Sequence, residues 1–294
     1  MPQYVRAFGK TPVNALLPVR KNTTVFLRKK GGTMDWDAEL YDRQHGFVGA
    51  YGNDLVDLVR AIAREREDGG GRALRILDVG CGTGAHLDAL GEIGDAVGVD
   101  ASPAMVARAH DAHPRADVRV ADACALPFEG AFDVAFSNAV FHWIPDQDAL
   151  LASVARALAD GGVLVVAEMG GAGNNARMRA GIAAALEKRG RAFAEPFCFP
   201  RDEEQGERLA AAGFDVVSLR SFDRPTPLAG GAAGLRLFAE QFYAGSLEGL
   251  DAVERAAVLD EYEAACRDEL WDAAERRWTA DYRRLRFVAR KRPA

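Results

Sequence analysis

The residues best suited to chemistry gather in Ile76-Leu77-Asp78-Val79-Gly80-Cys81-Gly82-Thr83-Gly84. Glycine at alternate positions lets the backbone approach a ligand with no Cβ in the way. Gly80, Gly82 and Ala85 also satisfy G-x-G-x-x-G/A, the fingerprint of a dinucleotide site. A plain strand-to-helix turn is a third reading of the same glycines. Asp78 separates these readings. A carboxylate two residues ahead of the loop repels a pyrophosphate and attracts a cation. For unit charges about 4 Å apart, that attraction is roughly 4 kcal/mol at an effective dielectric of about 20, before desolvation.

A cationic, phosphate-free ligand with this appetite for carboxylates is S-adenosylmethionine, which carries an ammonium and a sulfonium. Two further acids fit its adenosine half. Asp100 lies about twenty residues past the loop, where a carboxylate can accept from both ribose hydroxyls. Capping the following helix is its other reading. Asp122, with the Ala123 backbone beside it, is placed for the adenine amino group, or else is a solvated strand-end acid. Met105 packs on adenine or in the core.

The elements that must position these residues follow from apolar spacing. Leu55, Val56, Leu58, Val59 and Ile62 share one helical face over 53–67. Residues 74–79 read as a buried strand, followed by the glycine turn and a helix through Leu87 and Leu90. Strands are expected at 96–99, 118–121, 132–136 and 163–167, with helices from Pro103 and over 149–158. Ser102 is the expected cap of the Pro103 helix. Gly161-Gly162 reads as a turn. Beyond residue 170, helices are expected at 174–189, 202–212, 232–244 and 252–280, and strands at 214–219 and 285–288. This alternation predicts an α/β, doubly wound parallel sheet with right-handed crossovers. Asp78, Asp100, Asp122 and Asn138 then fall at strand carboxyl ends, where ligands bind in such sheets.

Residues 76–84, 97–105, 121–123 and 137–144 together resemble the class I S-adenosylmethionine-dependent methyltransferases. More narrowly, they are similar to the small-molecule branch that includes trans-aconitate methyltransferase. Residues 35–42 and 222–228 share the likeness, which spans about 35–290. The resemblance implies a Rossmann-like sheet of seven strands with the last antiparallel. It implies one methyltransferase domain over 34–294 with core motifs in 72–170, and a helical cap insertion at about 230–280. It also implies that Asp78, Gly80, Cys81, Gly82, Gly84, Asp100, Ala101, Met105, Asp122, Ala123 and Asn138 line the cofactor. Tyr41 and His45, with Phe47, would sit near its methionine end; helix packing is the alternative for all three.

Methyl transfer from a sulfonium is an in-line displacement, so an enzyme acts mainly by alignment. A carboxylate acceptor needs no general base at neutral pH, whereas a phenol, amine or carbon acid can need one. Residues 137–143 should face the methyl, and His142 is the histidine placed there. It is a base, a donor orienting a substrate carboxylate, or a packed wall residue; Trp143 is wall. Arg179, Arg201, Arg224 and Arg236 are candidates for an anionic acceptor. Half of the basic block Arg283, Arg284, Arg286, Arg290 and Lys291 would face water on an alternating strand.

Composition narrows the classes further. The 294-residue chain has a net charge of −6, which gives no electrostatic attraction to nucleic acid. Cys81, Cys124, Cys198 and Cys266 are scattered without C-x-x-C spacing, so free thiols in a reducing, cytoplasmic setting are expected and no metal site. No apolar run is long enough for a membrane span. No Asp/Asn-Pro-Pro-Tyr motif occurs, against adenine or glutamine-amide methylation. Residues 1–33 carry Arg6, Lys10, Arg20, Lys21, Arg28, Lys29 and Lys30 with no acid. They read as a flexible basic arm: a tail upstream of Met34, a docking arm or a targeting segment. Rivals to the whole reading are an RNA methyltransferase, a nicotinamide-dependent enzyme and a non-catalytic cofactor-binding homologue.

Overall fold

The computed structural model describes residues 29–30, 33–34, 53–68 and 72–293. Two short strands, β1 (Lys29–Lys30) and β2 (Thr33–Met34), pair antiparallel within the otherwise undescribed basic arm. Helix α1 (Asn53–Asp68) leads into β3 (Leu74–Val79), α2 (Leu87–Gly91), β4 (Gly94–Asp100), α3 (Pro103–Ala112) and β5 (Asp117–Val120). Then come β6 (Phe132–Asn138), α4 (Gln147–Ala157), β7 (Leu158–Gly170), α5 (Ala176–Glu187), α6 (Asp202–Ala211) and β8 (Phe214–Asp223). The chain closes with β9 (Thr226–Pro227), α7 (Gly234–Phe242), α8 (Ala244–Leu247), α9 (Ala252–Leu270), β10 (Trp271–Asp272), β11 (Arg277–Ala280) and β12 (Arg283–Lys291).

Seven strands form the main sheet in the order β5-β4-β3-β6-β7-β12-β8. The pairs among β5, β4, β3, β6 and β7 are parallel; β12 runs antiparallel between β7 and β8. Strand order reverses at β3, so the crevice of the sheet opens where β3 and β6 end. Both strands are covered on two faces, which explains their nearly unbroken apolar runs. Ile76, Val134 and Phe136 pack with Leu55, Val56 and Val59 of α1 on one side. Leu77, Val79 and Ala135 pack with Leu150, Leu151 and Val154 of α4 on the other. A separate cluster joins α5, α7, α8 and α9 around Tyr243, Tyr262 and Trp278, with Trp143 and Phe197 packed against it.

Two expectations are corrected. Gly161-Gly162 does not end an element: β7 runs through it, with Gly161 at φ +71° and a register shift against β6 between Phe132 and Val134. A bulge absorbs the glycines without breaking the strand. Residues 271–280 are not helical. α9 stops at Leu270, and β11 pairs with both β10 and β9. Trp271 packs edge-on against Trp278 at 5.1 Å, and Arg276 sits at φ +50°, a turn conformation incompatible with a helix. Among the described residues, no helix is long and apolar enough to cross a membrane.

Candidate functional site

The glycine loop leaves β3 and is pinned to the end of β4. Both Gly80 N and Cys81 N donate to Val99 O, at 2.8 and 2.9 Å. Gly80, Gly82 and Gly84 all take left-handed φ, at +76°, +56° and +93°. The glycines therefore serve different ends. A Cβ on Gly80 would land on the Val140 side chain, 2.9 Å from its Cβ, whereas one on Gly82 would meet nothing within 4 Å. Gly82 thus presents bare backbone to open space, as a ligand cradle requires. Burial drives the Cys81 thiol upward, with the Asp78 and Asp100 charges adding, so it is no nucleophile.

Asp100 holds this loop in shape. Its Oδ2 accepts from Gly82 N at 3.0 Å and its Oδ1 from Ser102 N at 2.8 Å. Burial raises its pKa, while these two amide bonds pull the other way. Each oxygen keeps a lone pair for a ligand hydroxyl. Asp78 is different. It is 2% exposed, and its Oδ2 has no hydrogen-bond partner among the described residues. Burial, with the Asp100 charge adding, raises its pKa from 3.8 to about 8. A buried carboxylate oxygen without a partner is costly, and it marks a place where a cation or donor is missing.

The other expected residues ring the same edge. Asp122 is exposed and accepts from Cys124 N at 2.9 Å, capping a short 3-10 turn that contains buried Ala123. Ala101 is exposed beside Asp100, and Met105 is buried, its amide bonded to Ser102 Oγ at 3.4 Å. Tyr41, His45 and Phe47 lie outside the described residues. Asn138, at the end of β6, meets a residue that spacing did not single out: its Nδ2 lies 3.1 Å from His86 Nε2. His86 is buried, sits edge-on to Phe136 at 5.2 Å, and has its pKa lowered by burial. It is neutral, so Nε2 accepts from the amide. The available signal was its place two residues after Gly84, at the entry to α2.

His142 lies in the 3-10 turn Phe141–Trp143 that follows β6. Gly170 N donates to its Nδ1 at 3.3 Å, and its ring is surrounded by Trp143, Phe197 and Phe199 at 5.6, 5.8 and 5.9 Å. Burial, helped by the Arg284 cation, pushes its pKa down to about 3. The ring is therefore neutral with its proton on Nε2. That arrangement suits a hydrogen-bond donor rather than a base.

The candidate arginines separate. Arg236 pairs with Asp260 and Glu263 away from the crevice, and Arg201 is exposed at the start of α6. Arg224 lies 5.2 Å from the Phe222 ring. Arg179 pairs with Glu195 and sits over Phe199 at 5.3 Å, next to the His142 wall. In the basic block of β12, Arg284 and Arg286 are buried, at 7% and 9% exposure, while Arg290 is exposed and Arg283 and Lys291 are half-buried. β12 is an interior strand, flanked by β7 and β8, so neither of its edges is free.

Comparison with known proteins places this geometry. Residues 77–166 match the family described as methyltransferase domain. An uncharacterized methyltransferase of Schizosaccharomyces pombe is 31% identical over 271 residues, covering 87% of this chain and 98% of its own length. The chain belongs to the methyltransferase family. The trans-aconitate 2-methyltransferase of Methylobacterium nodulans is 30% identical over 275 residues, again covering 87% of this chain and 98% of its own. The YcgJ protein of Bacillus subtilis shares the fold, with a TM-score of 0.54 at 16% identity over 82% of this chain and all of that one. The protein is thus an S-adenosylmethionine-dependent methyltransferase. Its residues fit that cofactor: the partnerless Asp78 oxygen needs a cation, and the Gly82 cradle accepts no side chain without filling the opening.

Proposed function

We propose that this methyltransferase methylates a small-molecule carboxylic acid on oxygen. The observation that carries the acceptor class is the full-length relative named trans-aconitate 2-methyltransferase. The chemistry of the crevice agrees with it. The histidine at the methyl end is a neutral donor, and a carboxylate is the acceptor that needs no base. In this reading S-adenosylmethionine supplies an activated methyl on a sulfonium. Asp78 pairs with its cationic end, Asp100 takes the ribose hydroxyls and Asp122 the adenine amine. Asn138, fixed by His86, lines the methionine side. His142 Nε2–H orients an acceptor oxygen, and the helices α7, α8 and α9 cap the acceptor away from water.

Incubation with methyl-labelled donor and a panel of carboxylic acids, amines, phenols and tRNA tests the class. Label is expected in a base-labile methyl ester of an acid. Label confined to amine, phenol or RNA rejects it.

Two residue predictions follow from the same geometry. Asp100→Ala should weaken S-adenosylhomocysteine binding at least about tenfold in calorimetry, since charge-assisted hydrogen bonds to the ribose are lost. It should also lower the melting temperature, because Gly82 N and Ser102 N both lose their acceptor. An unchanged affinity would remove Asp100 from the cofactor site. For His142, the pH profile of kcat/KM should show no histidine limb between about pH 5 and 8, because the ring stays neutral down to about 3. A limb near pH 6.5 that vanishes in His142→Gln would establish it as a base instead.

A further inference from the structure

Between the helices α5, α7 and α9 and the start of β12 lies a buried polar cluster, apart from the glycine loop and the acids at the strand ends. Tyr243 is 1% exposed and Tyr262 0%. Their rings are 6.4 Å apart, and neither hydroxyl has a hydrogen-bond partner among the described residues. Arg179 Nε, on α5, is buried and likewise without a partner, although the guanidinium pairs with Glu195 through another nitrogen. Arg179, Glu195, Asp281 and Tyr282 all lie near enough to Tyr243 to bias its ionisation. Burial pushes both phenols well above their ordinary value, so each keeps its proton and can donate.

The cluster adjoins the methyl end of the crevice. Tyr243 touches Phe197 at 6.5 Å, and Phe197 lies 4.6 Å from Trp143 and 5.8 Å from His142. On the other side Arg284 covers the Tyr282 ring at 4.0 Å and lowers the His142 pKa.

The balance of donors and acceptors indicates what is missing. Among the described residues, three partnerless groups able to donate, two phenols and one guanidinium N–H, accompany two partnerless acceptors, Asp281 Oδ1 and Asn175 Oδ1 at the head of α5. Asp281 Oδ2 is already committed to Arg177 N at 2.7 Å. The Arg179 guanidinium can only donate, and both protonated phenols can donate, so the cluster favours a group with acceptor oxygens. A carboxylate offers two oxygens and no donor.

We propose that Tyr243 and Tyr262, together with Arg179, bind carboxylate oxygens of the methyl acceptor under the α7–α9 helices. The assignment rests on the carboxylic-acid reading above, and it adds the residues that select the acid. Both tyrosines are binding residues, remote from cofactor contacts.

The test uses the full chain loaded with S-adenosylhomocysteine, so that no transfer occurs. Trans-aconitate, succinate and octanoate are titrated by calorimetry into the unaltered protein, Tyr243→Phe, Tyr262→Phe and the double variant. At least one acid should bind the unaltered protein. Its affinity should fall about tenfold or more in each single variant, with S-adenosylhomocysteine affinity unchanged. Without acceptor, each variant should melt at or above the temperature of the unaltered protein, because a partnerless buried hydroxyl has been removed. Equal acid binding by the variants overturns the tyrosine assignment alone. A lower melting temperature also overturns it, since the hydroxyls would then be structural. Failure of all three acids to bind the unaltered protein overturns the acceptor class, and the assignment with it.

Discussion

Asp78→Asn weakens S-adenosylmethionine binding by about tenfold to a hundredfold, the loss expected when a buried charge-assisted partner becomes neutral. In the free protein this carboxyl is buried, lacks a partner at Oδ2 among the described residues and has its pKa raised to about 8. At pH 7 it is therefore mostly protonated. Pairing with a cation requires it to ionise, so binding expels a proton. Affinity should rise with pH, about tenfold per unit well below pH 8, and level off above it. Calorimetry in buffers of different ionisation enthalpy should detect close to one proton released at pH 7. No proton release and a flat affinity profile would show that Asp78 is already charged or takes no part.

The sign for stability is opposite to that of an ordinary paired carboxylate. The folded value of about 8 exceeds the ordinary 3.8, so the folded state holds the proton more tightly. The ligand-free protein loses stability as pH rises from about 4 to 8. Asp78→Asn removes that loss. Without ligand, the variant should melt higher than the unaltered protein at pH 8 and almost equally at pH 4. The same substitution thus raises stability and lowers function, which separates a cofactor contact from a structural acid.

Gly80→Ala destabilises the protein by about 2–5 kcal/mol. Left-handed φ costs an L-residue roughly 1–2 kcal/mol, and overpacking a tight site roughly 1–3 kcal/mol. Gly80 incurs both, at φ +76° and against Val140. Val140 is β-branched and stiff, so it cannot swing aside. Thermal melting reads the effect directly. Val140→Ala placed in the Gly80→Ala chain should recover much of the packing part, by removing both Cγ contacts, and leave the backbone part with the remaining Cβ contact at 2.9 Å. Gly82→Ala is the control: its Cβ enters open space at φ +56°, so it keeps the strain without the clash. It should cost less stability than Gly80→Ala and more cofactor affinity. Equal effects of the two substitutions on both measurements would reject the division of labour between the glycines.

Much of the α/β framework was legible because its signals are local. The strand at 74–79 was read to the residue, and the Ser102 cap, the Pro103 start and the helix over 53–67 followed from spacing over a few residues. Where local signals conflict with pairing, the reading failed. Gly161-Gly162 looks like a turn, yet pairing with β6 resumes at Val163 after Leu158, and β12 pairs from Val163 onward, so β7 continues past the glycine irregularity. Residues 271–280 look helical, yet pairing with Pro227 and the Trp271–Trp278 contact draw them into strands. In the basic block of β12, spacing leaves open which arginines face water; the structure buries Arg284 and Arg286 and exposes Arg290.

By itself the sequence determined the alternation of strands and helices, the glycine loop and the acids at three strand ends. Each depends on backbone conformation and side-chain spacing within one segment. Only the tertiary structure decided which polar atoms have partners. It brought His86 to Asn138 across 52 residues and Gly170 to His142 across 28. It left Asp78, Tyr243 and Tyr262 with buried atoms that no described residue satisfies. Burial and partnership are properties of chain segments brought together from afar. They set the charge state of each group, and so no spacing rule could have assigned Asp78 its proton or His142 its neutrality.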